Sequence, residues 1–518
     1  MGKKDKSKKK VSGSVKTAMK TEKKLNAKQK KELAALGEDD IEKVVAEIER
    51  EESRRQRVVE ATVETPSRRV NFTLTAHPFK DELIMLGGEF HDGRKTTVYG
   101  DMFFCSLLKK EWTVVKAPGA PAPRCGHQAV ATQTNGGELW VFGGEFSSPS
   151  ESQFYHYRDL YVYHIGDKKW EKITAPGGPS ARSGHRMAHV KRQLVIFGGF
   201  HDNLRDYKYY NDLHIFDLTN YQWKKLVISG NIPAPRSGCV LLPTAQNTIA
   251  VWGGYSKERI KKDVDKGHVH TDMFVLVPEK NDETGTRWKW TLAKQTGLGI
   301  SPRCSASGII VQPNTAYIFG GVYDDVEDEE QLEGTFFDQL LALDLERHQW
   351  RSVNVGVRKE SSVAKRRRRK PKEEDEAASG SESEEEPEIS APVVAADDGI
   401  FTMTVGPAPA SSAPCTAQSQ GQTTFTPSPR INPGLAVKNG VLYMYGGMFE
   451  AGDKQYTLND FYSLDTRKLD EWKIIVKDDL SSQVWLDSES SDSANDDDES
   501  ESETDSDADE VAMDVDEK

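Results

Sequence analysis

Short runs of apolar residues, each ending in a pair of glycines, recur six times along the chain, from LIMLGG to LYMYGG. Continuous apolar runs of this length, bounded by turn residues, predict β-strands that are buried on both faces. Paired glycines suit backbone positions with positive φ or with no room for a Cβ atom. The structural glycines are Gly87 and Gly88, Gly143 and Gly144, Gly198 and Gly199, Gly253 and Gly254, Gly320 and Gly321, and Gly446 and Gly447.

Three further landmarks recur in a fixed order around every glycine pair. An arginine lies upstream: Arg69, Arg124, Arg182, Arg236, Arg303 and Arg430. An aspartate before apolar residues lies downstream: Asp101, Asp159, Asp212, Asp272, Asp338 and Asp460. A tryptophan follows: Trp112, Trp170, Trp223, Trp288, Trp350 and Trp472, with Trp290 as a second candidate in the fourth repeat. Each repeat therefore predicts four strands, which follow the arginine, precede the glycines, follow the aspartate and surround the tryptophan.

A single four-stranded sheet of this kind leaves apolar faces exposed, so neighbouring sheets must stack radially and close into a ring. The order of Gly-Gly, Asp-Leu and a spaced Trp resembles the kelch repeat, over about residues 66–480. The resemblance implies an all-β fold, a six-bladed kelch β-propeller. The start MGKKDKSKKK and the loops EFHDG and FHDN further resemble the family of kelch domain-containing protein four.

Charge divides the chain into segments. Residues 1–31 carry +11 and residues 487–518 carry -15, within a total of -13 and a mean hydropathy of -0.65. Composition predicts a disordered basic N-terminal arm, a long disordered insertion with a basic and an acidic part, and an acidic disordered tail. The predicted boundaries are 1–65 for the arm with a short charged helix, 66–352 for blades one to five, 353–428 for the insertion, 429–480 for blade six, and 481–518 for the tail.

Residues 39–57 are predicted to form the short helix. Asp39 or Asp40 can cap it, and one apolar face comprises Ile41, Val44, Val45 and Ile48. The helix can dock on the propeller or on a partner, and the sequence leaves both open.

The loops that follow the glycine pairs are the predicted protein-binding sites. Because antiparallel strands alternate in direction, these loops, the insertion and both termini are expected on one face. Tyr and Arg dominate binding hot spots, although at least half of these aromatics are expected only to pack the loops onto the sheets. The candidates are Tyr99, Phe154, Tyr155, Tyr157, Arg205, Tyr209, Tyr210, Lys257 and Arg259.

Residues with catalytic or metal-binding chemistry recur at scaffold positions. These are His127 with His185, and Cys125 with Cys304, at repeated positions after the arginine. His268 and His270 are expected to be exposed rather than to bind metal. No HExxH, Walker or nucleophile-elbow motif is present. We therefore predict no enzyme activity, no metal and no cofactor, although some kelch-type propellers, such as galactose oxidase, are copper enzymes.

The predicted function is a non-enzymatic protein-interaction scaffold, in ribonucleoprotein or nuclear assembly. A protein client is expected on the propeller face, a basic protein on the acidic tail, and nucleic acid, without sequence preference, on the lysine arm. No apolar run approaches 18 residues, so no membrane partner is expected. Nucleus and cytoplasm are the expected locations. The alternatives are a substrate receptor of a ubiquitin ligase and a metal-dependent propeller enzyme.

Two kinds of regulatory site are predicted in the charged segments. The run KRRRRKPK is a candidate nuclear localisation signal, or else a solvated charge run; its core is Lys365, Arg366, Arg367, Arg368, Arg369 and Lys370. Hydroxyl residues with an acidic residue three positions on are candidate phosphorylation sites. They are Ser379, Ser381, Ser383, Ser493, Ser500, Ser502, Thr504 and Ser506.

Overall fold

The computed structural model describes residues 39–203, 206–261, 264–282, 284–324, 334–356, 425–452 and 454–483. The predicted localisation signal, the predicted phosphorylation sites and Arg205 lie outside the described residues, as do most of the arm, the insertion and the tail. The contact-defined unit that contains the blades comprises residues 1–355 and 426–518.

Six sheets, or blades, form the molecule, and the four predicted strands per repeat are confirmed. A helix α1, Ile41–Arg54, precedes the first blade. The strands of blade one are β1 (Val59–Val63), β2 (Thr73–Ala76), β3 (Glu82–Leu86), β4 (Glu89–His91), β5 (Thr96–Val98), β6 (Met102–Ser106) and β7 (Glu111–Lys116). Those of blade two are β8 (Gln128–Thr132), β9 (Glu138–Phe142), β10 (Glu145–Ser147), β11 (Phe154–His156), β12 (Leu160–His164) and β13 (Lys169–Ile173). Those of blade three are β14 (Arg186–Val190), β15 (Gln193–Phe197), β16 (Phe200–Asp202), β17 (Tyr207–Tyr209), β18 (Leu213–Asp217) and β19 (Gln222–Lys224).

Blades four to six repeat the arrangement. The strands of blade four are β20 (Val227–Gly230), β21 (Val240–Pro243), β22 (Ile249–Trp252), β23 (Tyr255–Lys261), β24 (Val264–Val269), β25 (Met273–Pro278) and β26 (Arg287–Leu292). Those of blade five are β27 (Thr296–Gly297), β28 (Ser307–Gln312), β29 (Thr315–Phe319), β30 (Val322–Asp324), β31 (Gly334–Phe336), β32 (Leu340–Asp344) and β33 (Gln349–Ser352). Those of blade six are β34 (Gly434–Lys438), β35 (Val441–Ala451), β36 (Lys454–Asp465) and β37 (Lys473–Val476).

The strand that follows the repeated arginine is innermost in every blade. These six inner strands (β2, β8, β14, β21, β28 and β34) neighbour one another around a closed ring. The apolar core lies between blades. Ile84 and Leu86 of blade one, for example, pack with Val141, Tyr161 and Trp170 of blade two. Neighbouring sheets thus bury the apolar faces that a single sheet would expose.

The outer edges of several blades carry strands that the sequence pattern does not predict. β1 pairs antiparallel with β7. The linker that enters blade four pairs as β20 in parallel with β26, and β27 pairs likewise with β33. These additions lengthen each sheet by one strand.

The repeated arginines are buried and hold each blade to its own glycine pair. Arg124 donates to the carbonyl of Gly143 at 3.0 Å and pairs with Asp159 at 2.7 Å. The N–H of Gly144 in turn donates to the carbonyl of Arg182, in the next blade. A Cβ on Gly144 would lie 2.7 Å from a backbone oxygen, and its φ is +94°, so glycine is required there.

The structure corrects two of the predicted landmarks. In blade five the residue before β32 is Gln339, whose Oε1 accepts from Arg303 at 2.9 Å, so Gln339 takes the position assigned to Asp338. In blade four Trp290, opposite Leu276, has the register that Trp112 and its equivalents have, so Trp288 is displaced from that role. Strand register determines which residue is equivalent in each repeat. The prediction from residue type alone therefore chose the wrong residue in both blades.

Helix α1 docks on blade two. Asp40 is its N-cap and accepts from the N–H of Glu42 at 3.1 Å. Ile41 and Val45 are buried in a cluster with Tyr157 of blade two. The helix prediction is confirmed, and of its two docking options this structure displays the contact with the propeller. Among the described residues no helix has the length and hydropathy to span a membrane.

Candidate interaction face and axial cavity

One face of the ring carries the glycine pairs and the structures that follow them; we call it the glycine-pair face. After the pair in each of blades one to five the chain forms a hairpin, as in β4–β5 and β10–β11. In blade six β35 and β36 themselves run on past the glycines as one long hairpin. The sequence pattern predicted loops here, and the paired strands are an addition.

Neighbouring hairpins bond to each other. Thr96 of blade one donates to Glu151 of blade two at 2.6 Å. The imidazole of His156 in blade two accepts from the N–H of Asp202 in blade three at 3.0 Å. Tyr207 of blade three donates to Asp265 of blade four at 2.8 Å. From blade one to blade four the hairpins therefore form a connected surface.

Three of the predicted binding aromatics stack on the repeated arginines. Tyr99 lies 4.2 Å from the guanidinium of Arg69, and Tyr157 and Tyr210 each lie 4.0 Å from the arginine of their own blade. Phe337 continues the series in blade five, over Arg303 at 3.6 Å. Tyr157 is buried and donates to a backbone carbonyl. This recurrent cation–π contact fixes the hairpins to the sheets.

The remaining candidates lie farther out on the hairpins. Phe154 and Tyr155 are partly buried on β11, and Tyr155 packs on the α1 cluster. Tyr209 stacks on Phe200, with ring centres 5.8 Å apart. Lys257 and Arg259 are exposed on β23. Arg259 is brought next to Tyr207 and pairs with Asp206 and Asp265 at 3.4 and 3.6 Å.

The residue directly after each glycine pair forms a β-bridge with the residue after the repeated arginine, and two of these residues, Glu145 and Phe200, line an axial cavity. Sequence reasoning missed this ring, although its fixed position after Gly-Gly is a readable signal. Blades one and two contribute acids, blades three and four aromatics, and blades five and six aliphatic side chains. The ring comprises Glu89, Glu145, Phe200, Tyr255, Val322 and Met448.

Burial determines the protonation states of the acidic side chains in this ring and of the neighbouring His156. Burial, with the neighbouring Glu89 charge second, raises the pKa of Glu145 to about 8. His156, with Nε2 3.4 Å from Glu145, has its pKa lowered to about 3 by burial and is neutral. Glu89 accepts from Asn71 at 2.6 Å, and burial raises its pKa too. At neutral pH Glu145 is thus mostly protonated, without a cationic partner among the described residues.

The repeated histidines and cysteines have scaffold environments. His127 is buried, bonds to Thr73 at 3.1 Å, and has its pKa lowered to about 3 by burial. Burial raises the pKa of the Cys125 thiol far above its ordinary value, which disfavours the nucleophilic thiolate. His270 bonds to Ser256, and His268 lies 3.4 Å from a glutamate. Within the described ranges no three His, Cys, Asp or Glu side chains converge as a metal site.

Comparison with known proteins matches this architecture. Residues 71–282 match the model of the KLHDC2/KLHL20/DRC7 Kelch-repeats domain. The chain is 31% identical over 192 residues to acyl-CoA-binding domain-containing protein 5 of Arabidopsis thaliana, covering 36% of this chain and 27% of that protein. It is 29% identical over 212 residues to the flagellar outer-arm dynein alpha chain of Chlamydomonas reinhardtii, covering 39% and 4%.

The solved structure of YjhT aligns with a TM-score of 0.46 and 14% identity, over 79% of this chain and 98% of that one. The matched part of the chain spans only about a quarter or less of the length of the two curated relatives named above. The repeat match and the six blades make the described part a kelch-repeat β-propeller.

Proposed function

We propose that this protein is a non-enzymatic interaction scaffold whose glycine-pair face binds a partner protein. Kelch propellers generally bind protein partners. The observation that carries the proposal is the position of the described residues that adjoin the three charged segments in sequence. Asp39 is held by the Gln153 amide at 2.8 Å on the β10–β11 hairpin, and Gln483 donates to Gln455 at 2.8 Å on β36. Residues 425–430 lead into Arg430, whose guanidinium bonds to Gly446.

The described residues that adjoin the lysine arm, the insertion and the acidic tail in sequence therefore lie at the glycine-pair face. A partner on this face meets the hairpins and the roots of these segments together. Charged segments near a docking surface raise the association rate and the selectivity for a partner that carries complementary charges. Among the described residues, the turns of the opposite face adjoin none of these segments.

Charge reversal tests the face. Lys257→Glu with Arg259→Glu changes two exposed side chains of β23, and Lys109→Glu with Lys169→Glu is the matched control on exposed positions near the opposite face. Partners captured by the full chain from cells are compared by quantitative mass spectrometry. We expect the first pair to lose specific partners by at least fivefold and the control to retain them. Equal loss in both variants, or in neither, contradicts the proposal.

The finer assignments are part of the same proposal. We propose that the basic run 365–372 directs the protein to the nucleus, that the tail binds a basic protein and that the lysine arm contacts nucleic acid. The lysine-rich start and the EFHDG and FHDN loops favour the kelch domain-containing protein four family. Substituting Arg366 to Arg369 by Ala is expected to lower the nuclear fraction, and an unchanged distribution after removal of the lysine arm as well would overturn the nuclear assignment.

A further inference from the structure

The inner strands line an open axial cavity of about 740 Å³, within the range of small-molecule sites. Its wall changes character along the axis. At the glycine-pair end, equivalent positions of four inner strands carry Thr73, Gln128, Arg186 and Ser307. Farther along, the lining includes Leu74, Ala129, Ala131, Leu241, Ile310 and Val437. Thr75 and His189 also line this part, so the cavity has polar groups along its length, with apolar side chains between them away from the glycine-pair end.

Arg186 is the unusual group in this wall. Its guanidinium donates to the carbonyls of Cys239 at 2.5 Å and His185 at 3.2 Å. Within the described residues it has no carboxylate within ion-pairing distance, whereas Arg182, four positions earlier, pairs with Asp212 at 2.6 Å. Glu145 is the acidic residue among those lining the cavity, and at neutral pH it is mostly uncharged.

Arg186 is partly buried, and a cation removed from water without a counter-charge is costly, so a bound anion would offset that cost. The guanidinium is planar and suits the two oxygens of a carboxylate or phosphate. Two backbone carbonyls already orient the Arg186 side chain, so little further ordering is needed on binding. The apolar wall that follows would take a hydrocarbon chain out of water.

We propose that the axial cavity binds a small organic oxyanion, with its charged group on Arg186 and its apolar part along the inner strands. This site is separate from the protein-binding face of the proposed function. It lies inside the ring, and it depends on Arg186, which belongs to the inner strand β14 and not to a hairpin. A small ligand is favoured over a polymer because the volume of the cavity matches a single small molecule.

Hexanoate and hexanamide, which share a hydrocarbon chain and differ in charge, are the probes. Binding to the full chain is measured by calorimetry at pH 7. We expect hexanoate to bind at least tenfold more tightly than hexanamide. Arg186→Gln should weaken hexanoate binding at least tenfold, and Arg192→Gln, an exposed arginine of the same blade, should leave it unchanged.

A second variant keeps the test independent of whether Arg186→Gln folds. Ser307, at the equivalent position in blade five, makes no side-chain hydrogen bond in the described structure, and Ser307→Phe fills the cavity while leaving Arg186 in place. Hexanoate binding should fall at least tenfold in this variant too. The proposal is overturned if hexanoate does not bind at millimolar concentration, if hexanamide binds equally well, or if Ser307→Phe binds like the parent.

Discussion

At the scale of single residues, the repeated arginine and its partner show which exchanges a blade tolerates. Four blades pair the arginine with an aspartate at 2.6–2.7 Å. In blade five Gln339 replaces the acid, and burial lowers the pKa of Arg303 to about 10. A charge-assisted hydrogen bond is stronger than a neutral one. Gln339→Asp should therefore stabilise the protein by about 1 kcal/mol, measured by urea unfolding.

The reverse exchange is the control for that prediction. Asp159→Asn removes the carboxylate from Arg124 in blade two and should destabilise by about 2 kcal/mol, because a buried charge loses its counter-charge. Asp338→Asn should have little effect, since Asp338 is not the residue that bonds to Arg303. A destabilised Gln339→Asp variant would show that blade five is built for a neutral partner.

Glu145 gives the second prediction at this scale. Its pKa of about 8 exceeds the ordinary 4.5 because of burial and because Glu89, Asp202 and Glu151 lie nearby. Between these values the unfolded chain has lost the proton that the folded protein retains, so this group's contribution to stability falls as pH rises from about 4.5 to 8. Glu145→Gln has no such loss. Its melting temperature relative to the parent should rise between pH 6 and 8.5, and a constant difference would contradict the assignment.

At the scale of elements, helix α1 is held by few contacts, and they can be removed one at a time. The Gln153 side chain accepts from the N–H of Ile41 at 3.1 Å and donates to Asp39. Gln153→Ala should raise hydrogen exchange of Ile41–Arg54 several-fold, because about 1–2 kcal/mol of docking energy is lost. Glu47→Ala, on the exposed side of the helix, should not. Equal exchange in both variants would mean that apolar packing alone docks the helix.

The strands and hairpins also show which features of the fold the sequence could predict and which it could not. Apolar runs and glycine pairs predicted the four strands of each blade because burial on both faces and positive φ leave direct traces in residue type. Asp338 and Trp288 were assigned in place of Gln339 and Trp290 because register depends on cross-strand pairing, which residue type alone does not reveal. The hairpins after the glycines were missed because most of their strands are only three residues long, too short to show a strand periodicity. Arg186 was missed because an unpaired cation is visible only when its neighbours are known.

At the scale of the whole molecule, each blade takes its inner strand from its own repeat. The ring therefore closes without a blade that combines strands from the two ends of the repeat array. Arg68, between β1 and β2 of blade one, joins the first and the last blade. Its guanidinium lies 2.6 Å from Asp478, after blade six, and donates to the carbonyls of Thr457 and Asp479 and to Ser482. The Arg68 and Asp478 side chains are only 12% and 7% exposed, so water screens this pair little.

Arg68→Ala should open this junction. The loss of a buried pair leaves Asp478 without its counter-charge and should cost about 3 kcal/mol. Because the contacts are confined to the junction, hydrogen exchange should increase in β1, β36 and β37 while β14 and β21 stay protected. Arg57→Ala, an exposed arginine nearby, is the control. Asp478→Asn added to Arg68→Ala should recover part of the stability, because it removes the stranded charge; uniform exchange across all six blades would instead show that the ring unfolds as one unit.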